Sequence, residues 1–372
     1  MTPPSPARAL AVLLAAAGAG LLWVNRVEPD ESRVLGAAVL LVAVVALVAR
    51  ETVGRARVLE AVAVLLLVLA GGECAVRREN GLAARAYAER LMHFVDDPLL
   101  RYEMKPGVSC GQGTTNARGM LDVPREPANP GGALRVACLG DSVGGDCSLP
   151  GDNACAALER ALRAARGGRP TEVLNFSVPG YNTMQEARAL EVKAGPFAPD
   201  VVVVLYVVND PYPDLAISHY LPGKLKFAHL IYSGLRVAAW RLFGPSVDPF
   251  GGQLGRFFET PRAWDDVVVA GFARIRAFAA ARDLPVVVAV FPLFIDRPLP
   301  EHRDIYPRVV REAERHGFIG VDLAEAAYQG EPLEALLKPS RDIIHPNAHA
   351  HELAAGAIAR ALLAARPELA TR

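Results

Sequence analysis

The chain has 372 residues, enough for one good-sized domain and an appendage. Lys+Arg and Asp+Glu are both 40, so the net charge is zero and nothing favours a nucleic-acid partner, which usually needs a basic face. The hydrophobic fraction of 52% is slightly high for a soluble protein, and the excess sits in the first 80 residues.

Three apolar stretches lie there: Ala9 to Val24, Val34 to Ala49 and Val58 to Val76. Only the third contains charges, Glu60 and Glu73 near its ends, and arginines bracket each stretch. A spanning helix needs about 20 apolar residues. The stretches are at the short end but predict about three transmembrane helices in residues 1–80. A signal peptide at residues 1–25 fits poorly, because no convincing cleavage site follows and two further apolar stretches come at once. The loop Asn25 to Arg33 carries two arginines against three acids, and Arg50 to Arg57 three against one. The positive-inside tendency therefore puts the second loop in the cytoplasm and everything after residue 80 on the extracytoplasmic side. Arg77, Arg78 and Arg85 pull the other way, but long domains translocate largely regardless of such charges.

Residues 81–133 form a polar connector rich in Gly, Pro and Arg. From Leu134 to the C-terminus, strands alternate with helices. Strands are predicted at Leu134–Leu139, Glu172–Val178, Asp200–Val208, Leu284–Phe291 and Phe318–Leu323. Helices are predicted at Asn153–Ala165, Met184–Lys193, Trp264–Arg282, Ile305–His316 and Ala348–Ala365, the last capped by Asn347. The run DVVVVLYVV at Asp200 to Val208 suits a central strand of a parallel sheet covered on both faces. The alternation implies an α/β layered sandwich with a mostly parallel five-stranded sheet and right-handed crossovers. The 50 or so residues at 211–260 far exceed an ordinary connection and predict an insertion overhanging the site, one that sets specificity. Of the five cysteines, Cys138 reads as a small core residue, and Cys110, Cys147 and Cys155 could supply one disulfide.

In such sheets functional groups collect at the carboxyl ends of strands. There this sequence has Gly140-Asp141-Ser142, then Val178-Pro179-Gly180-Tyr181-Asn182, then Asn209-Asp210, and finally Asp342-Ile343-Ile344-His345-Pro346-Asn347. A serine after a strand is more often a helix cap than a nucleophile. It becomes one only beside a base. His345 can accept the Ser142 proton, and Asp342, three residues earlier, can hold the other ring nitrogen and stabilise the imidazolium. Pro346 disfavours helical geometry at His345 and keeps the imidazole on a loop. The developing oxyanion needs donors, for which the Ser142 N–H, the Gly180 N–H and the Asn209 side-chain amide are candidates.

These blocks resemble the SGNH (GDSL-type) hydrolase superfamily, over about residues 134–365. The resemblance rests on Gly140-Asp141-Ser142 with Gly145, on Asn175 to Asn182, on Val207-Val208-Asn209-Asp210, and on Asp342 to Asn347. It implies a three-layer α/β/α sandwich and ester hydrolysis with neither metal nor cofactor. The substrate would be an acyl or O-acetyl ester, on a carbohydrate or a lipid. One departure is Val207, where the third block usually begins with glycine. Thr115-Asn116-Ala117-Arg118-Gly119 also looks like the lead-in of bacterial membrane-attached members.

Three rival readings remain open at this stage. Gly140-Asp141-Ser142-Val143-Gly144 matches the G-x-S-x-G elbow of α/β-hydrolases, although that elbow normally follows several strands. His345, His349 and His351 with Asp342 could form a metal site, although Pro346 interrupts the helical spacing. The same serine could transfer an acetyl group to a glycan instead of to water.

Overall fold

The protein is seen in a computed structural model that describes residues 90–149, 151–211, 263–294, 304–338 and 344–372. The apolar stretches of residues 1–80, nearly all of the 211–260 insertion, and Asp342 lie outside the described residues. Among those described, no helix is long and apolar enough to cross a membrane.

Residues 90–133 are more structured than a connector. They form two small antiparallel hairpins, β1 (Met92–Phe94) with β2 (Tyr102–Met104), and β3 (Ser109–Cys110) with β4 (Gly113–Thr114). The main sheet follows. It has β5 (Leu134–Gly140), β6 (Thr171–Asn175), β7 (Val201–Tyr206), β8 (Val286–Val290) and β9 (Ile319–Asp322), all parallel, in the order β6-β5-β7-β8-β9. Every residue of β5, β7 and β8 is buried, as an apolar run covered on both faces requires. Each fully buried valine there contributes about 2 kcal/mol of transfer free energy.

The chain moves one way from β5 to β6 and the other way through β7, β8 and β9. Right-handed crossovers must therefore lay the helices on both faces. Helices α1 (Ala154–Ala165) and α7 (Ala348–Ala365) pack together on one face. On the other face lie α2 (Thr183–Ala189), α3 (Ala270–Ala280) and α4 (Ile305–Arg315). The predicted three-layer sandwich is the fold observed. Two short helices, α5 (Leu323–Ala326) and α6 (Leu333–Leu336), lead from β9 toward the last block. Two predicted helices contain π-helical turns, Leu190–Ala194 after α2 and Trp264–Val269 before α3.

Asparagines start three helices. Asn153 accepts from the Ala156 N–H, Asn182 forms a capping box with Gln185, and Asn347 accepts from the Ala350 N–H. The cysteines correct the sequence reading. Cys138 is buried but is paired with Cys155, and Cys110 pairs with Cys147, giving two bridges among the described residues. The Cα separations of 6.1 and 5.1 Å are ordinary for disulfides. Cys138 reads as a core residue because its strand is apolar throughout, and its partner lies across the crossover on α1.

One buried arginine joins the lead-in segment to the sheet. Arg135 donates to the carbonyls of Glu126, Pro127, Ala128 and Phe197 at 2.6–3.1 Å, and its Nε to Glu172 at 2.8 Å. Only a planar, multiply donating guanidinium can serve this set. Arg135→Met should destabilise the fold by about 3 kcal/mol, because buried carbonyls and Glu172 lose their donor. Urea unfolding of the variant measures this, and a change within about 0.5 kcal/mol, the range of ordinary surface substitutions, would contradict it.

Candidate active site

Strand β5 ends at Gly140, level with Leu205 of β7, and the chain turns at once. The Gly145 N–H donates to the Asp141 carbonyl at 2.9 Å and closes the turn that carries Ser142. Gly144 has no room for a side chain: a Cβ there would lie 2.7 Å from the Ser177 Cβ. Asn175, at the end of β6, fastens this turn by donating to the Gly144 carbonyl at 2.8 Å.

The second loop is tied to the first strand, with the Val178 N–H donating to the Gly140 carbonyl at 3.1 Å. Gly180 has φ +82°, a left-handed conformation that glycine adopts without strain. The N-terminal hairpins hold this loop. The Tyr102 hydroxyl donates to the Pro179 carbonyl at 3.3 Å, and the Tyr181 hydroxyl to the Tyr102 carbonyl at 2.7 Å. Leu91, Leu100, Tyr102, Met104, Val178 and Tyr181 form a second small core around them.

His345 reaches the same place from the far end of the chain. Its loop is closed at the base by a bridge between Leu337 and Pro346, with Asn347 donating to the carbonyls of Ala335 and Leu337. His345 Nε2 lies 2.8 Å from Ser142 Oγ. With Nε2 in its unprotonated tautomer, the hydroxyl donates and the imidazole accepts. Lys338 pairs with Asp146 and donates to Ser148 at 3.0 Å, so the two loops that bring serine and histidine together are also linked by charge.

Asn209 lies in the turn after β7, where the Asp210 N–H donates to the Val207 carbonyl at 3.0 Å; valine in place of glycine is accommodated there, buried. The amide Nδ2 of Asn209 donates to Asp141 Oδ2 at 2.8 Å, and the Val143 N–H donates to Asp141 Oδ1 at 3.0 Å. Burial pushes the Asp141 carboxyl upward; Val143, Asn209 and His345 pull it back. Among the described residues, neither the Ser142 N–H nor the Gly180 N–H is engaged. The structure thus gathers Ser142, His345, Gly180 and Asn209 at one sheet edge, all partly exposed. Asp342 lies outside the described residues. Asp141 and Asn175 were quoted in motifs without a role, and only the fold reveals them as the supports of Asn209 and of the Ser142 turn.

The alternative histidine cluster does not assemble. The side chain of His349 is exposed, 3.8 Å from Glu331, while His351 is fully buried against Phe291. Among the described residues no group of acids, histidines and cysteines could hold a metal.

The family model described as "GDSL-like Lipase/Acylhydrolase family" matches residues 138–353. The chain belongs to this family. It is a hydrolase acting on ester bonds. Comparison with curated proteins gives no match. Among solved structures it is similar to LAE5, an alpha/beta hydrolase enzyme from the metagenome of Lake Arreo, Spain, at 19% identity and TM-score 0.40, covering 65% of this chain and 99% of that one. It is also similar to Axe2, an acetylxylan esterase from Geobacillus stearothermophilus, at 18% identity and TM-score 0.38, covering 62% and 93%. TesA shows 18% identity and a TM-score of 0.38, covering 63% and 98%.

Burial pushes His351 down to about 4, against an opposing pull from Asp146. Its folded value is depressed, so unfolded chains bind a proton that folded ones refuse. The part of the stability that depends on His351 is therefore whole above about pH 6.5 and is lost as pH drops toward 4, by about 3 kcal/mol. His351→Leu should flatten that part of the stability curve, as measured by denaturant unfolding at several pH values. A variant with the wild-type slope would contradict the assignment.

Proposed function

We propose that this esterase works through Ser142 as nucleophile, His345 as general base and acid, and Asp342 as the carboxylate that orients the imidazole. The observation that supports this best is the 2.8 Å approach of Ser142 Oγ to His345 Nε2 at the carboxyl edge of the sheet. His345 takes the hydroxyl proton as Oγ attacks the ester carbonyl. The tetrahedral oxyanion is met by the Ser142 N–H, the Gly180 N–H and Asn209 Nδ2, whose second hydrogen is not needed by Asp141. The C–O bond to the leaving alcohol breaks, His345 returns the proton to that oxygen, and an acyl-serine remains. Water then attacks the acyl carbon and gives its proton to His345. The serine leaves, reclaims the proton, and a carboxylic acid departs.

The substrate we infer is an acyl or O-acetyl ester, on a carbohydrate or a lipid. We further propose that residues 1–80 attach the chain to a membrane and that the catalytic domain lies on the extracytoplasmic side. The apolar stretches support attachment, and the pairing of Cys110 with Cys147 and of Cys138 with Cys155 suits an oxidising compartment.

Ser142→Ala should lower turnover by about 10⁶ while leaving the fold intact. A serine-directed phosphonate should label the wild type at Ser142 and miss the variant; equal labelling of both would defeat the reading. For the topology, a reporter fused at residue 85 should be exported and one at residue 53 retained in the cytoplasm. The reverse pattern would place the domain on the other side.

A further inference from the structure

Beneath Asn209, on the face of the sheet covered by α2 and α3, lies a cluster of oxygen atoms that the hydrolytic steps leave unexplained. Glu186 of α2 is 1% exposed and Asp210, just after β7, is 0% exposed, yet none of their four carboxyl oxygens has a hydrogen-bond partner. The hydroxyls of Thr183 and Tyr206 and the Oδ1 of Asn209 are likewise buried and unpartnered. The surrounding elements are closely pressed. A Cβ on Gly271 of α3 would come within 2.8 Å of the Thr183 carbonyl, and the Tyr206 ring meets that of Phe272 at 6.2 Å.

No cation among the described residues is paired with either carboxyl. Arg274 of α3 is committed to Glu191, Arg308 of α4 faces Tyr206 and stacks on Trp264, and His345 acts on Asp141. An unpaired buried carboxylate costs several kcal/mol, and a proton removes that cost. The three acids Asp141, Glu186 and Asp210 feel one another. Asp141 accepts from the Val143 N–H and the Asn209 amide, Asp210 is eased only by the Val207 backbone, too far off to make a full hydrogen bond, and Glu186 has no donor. Of the three, Asp141 has the donors best able to hold a negative charge. Burial first, then the neighbouring carboxylates, pushes Glu186 and Asp210 well above the usual range.

A neutral carboxyl is also a donor. The cluster is rich in acceptors and, apart from two hydroxyls, has nothing to donate. We propose that Glu186 and Asp210 are positioning residues for the oxyanion donor, carried as neutral acids whose O–H groups supply the donors that Asn209 Oδ1 and its neighbours lack. This rests on the reading of Asn209 as part of the oxyanion hole. It also explains why neutrality matters: a second and third negative charge under the amide would oppose the charge developing on the substrate oxygen.

The test uses the full chain with Glu186→Gln, Asp210→Asn and Glu186→Met. At pH 7 the infrared spectrum of the wild type should show the carbonyl band of buried protonated carboxyls, diminished in the Gln and Asn variants. Because the folded acids hold protons that unfolded ones release, their own contribution to stability should decline as pH rises above about 4.5, so the wild type should lose stability relative to the Gln and Asn variants on going from there to neutral pH. On a small chromogenic acetyl ester, the Gln and Asn variants should keep kcat within about threefold and extend activity to more alkaline pH. Glu186→Met should lose about tenfold or more in kcat with little change in KM, as loss of a transition-state interaction requires. Absence of the band, a stability slope identical in all variants, or Gln as damaging as Met would overturn the proposal. If the Met variant does not fold, the band and the alkaline limb of the Gln and Asn variants decide. An active Ser142→Ala would instead overturn the nucleophile reading and the positioning role with it, while leaving the infrared result to stand by itself.

Discussion

The edge of this sheet is organised around one buried carboxylate. Asp141 takes a backbone donor from Val143 on one oxygen and the Asn209 amide on the other, directly under the serine that follows it. Strand β5 and strand β7 are neighbours, so the two residues meet without any loop having to reach. The same bonds hold the Ser142 turn in shape and aim the asparagine. Asp141 thereby sets the geometry of both Ser142 and Asn209. Ser142 Oγ is also 3.4 Å from Asp141 Oδ2, longer than its 2.8 Å approach to His345, so the imidazole is the stronger partner for the hydroxyl.

Around that centre the tethers come from distant parts of the chain. The N-terminal hairpins supply Tyr102 to the Gly180 loop and Cys110 to Cys147, five residues after Ser142. Arg135 binds the segment 126–128 to the base of the sheet. Lys338 reaches Asp146 from the residue after the Leu337–Pro346 bridge. Short catalytic loops have little packing of their own. Their precision is imported from bridges, ion pairs and aromatic hydroxyls anchored elsewhere, as a positioned site requires.

Much of the fold could be read directly from residue order. The valine runs of β7 and β8 are too apolar for anything but a covered strand, and the helices predicted from Asn153, Met184 and Ala348 begin within a residue of those positions. What escaped has a common cause. Cys138 and Cys155 pair across a crossover, and the two- and three-residue strands before β5 owe their existence to packing on the Gly180 loop rather than to their own pattern. The π-helical turns after α2 and before α3 keep the same apolar spacing as an α-helix over so few residues. Within the site, Ser142, Gly180, Asn209 and His345 stand out because their motifs are local. Glu186 looks like an ordinary polar residue in the first turn of a helix. Only the packing of α2 against β5 and α3 reveals that it is buried.

That burial bears on how an esterase of this kind handles charge. In the mechanism we propose, the partly exposed rim, with Ser142, Gly180, Asn209 and His345, accepts a transient negative oxygen and a transient positive imidazolium. Asp141 lies below both, in electrostatic contact with His345 and hydrogen-bonded to the Asn209 amide. A single fixed charge at that depth stabilises the cation, but every added negative charge would act on the oxyanion as well. A floor built of acids can serve both partners only if its deeper members carry protons. One well-donated carboxylate above two buried acids that lack hydrogen-bond partners is an arrangement that fits the requirement.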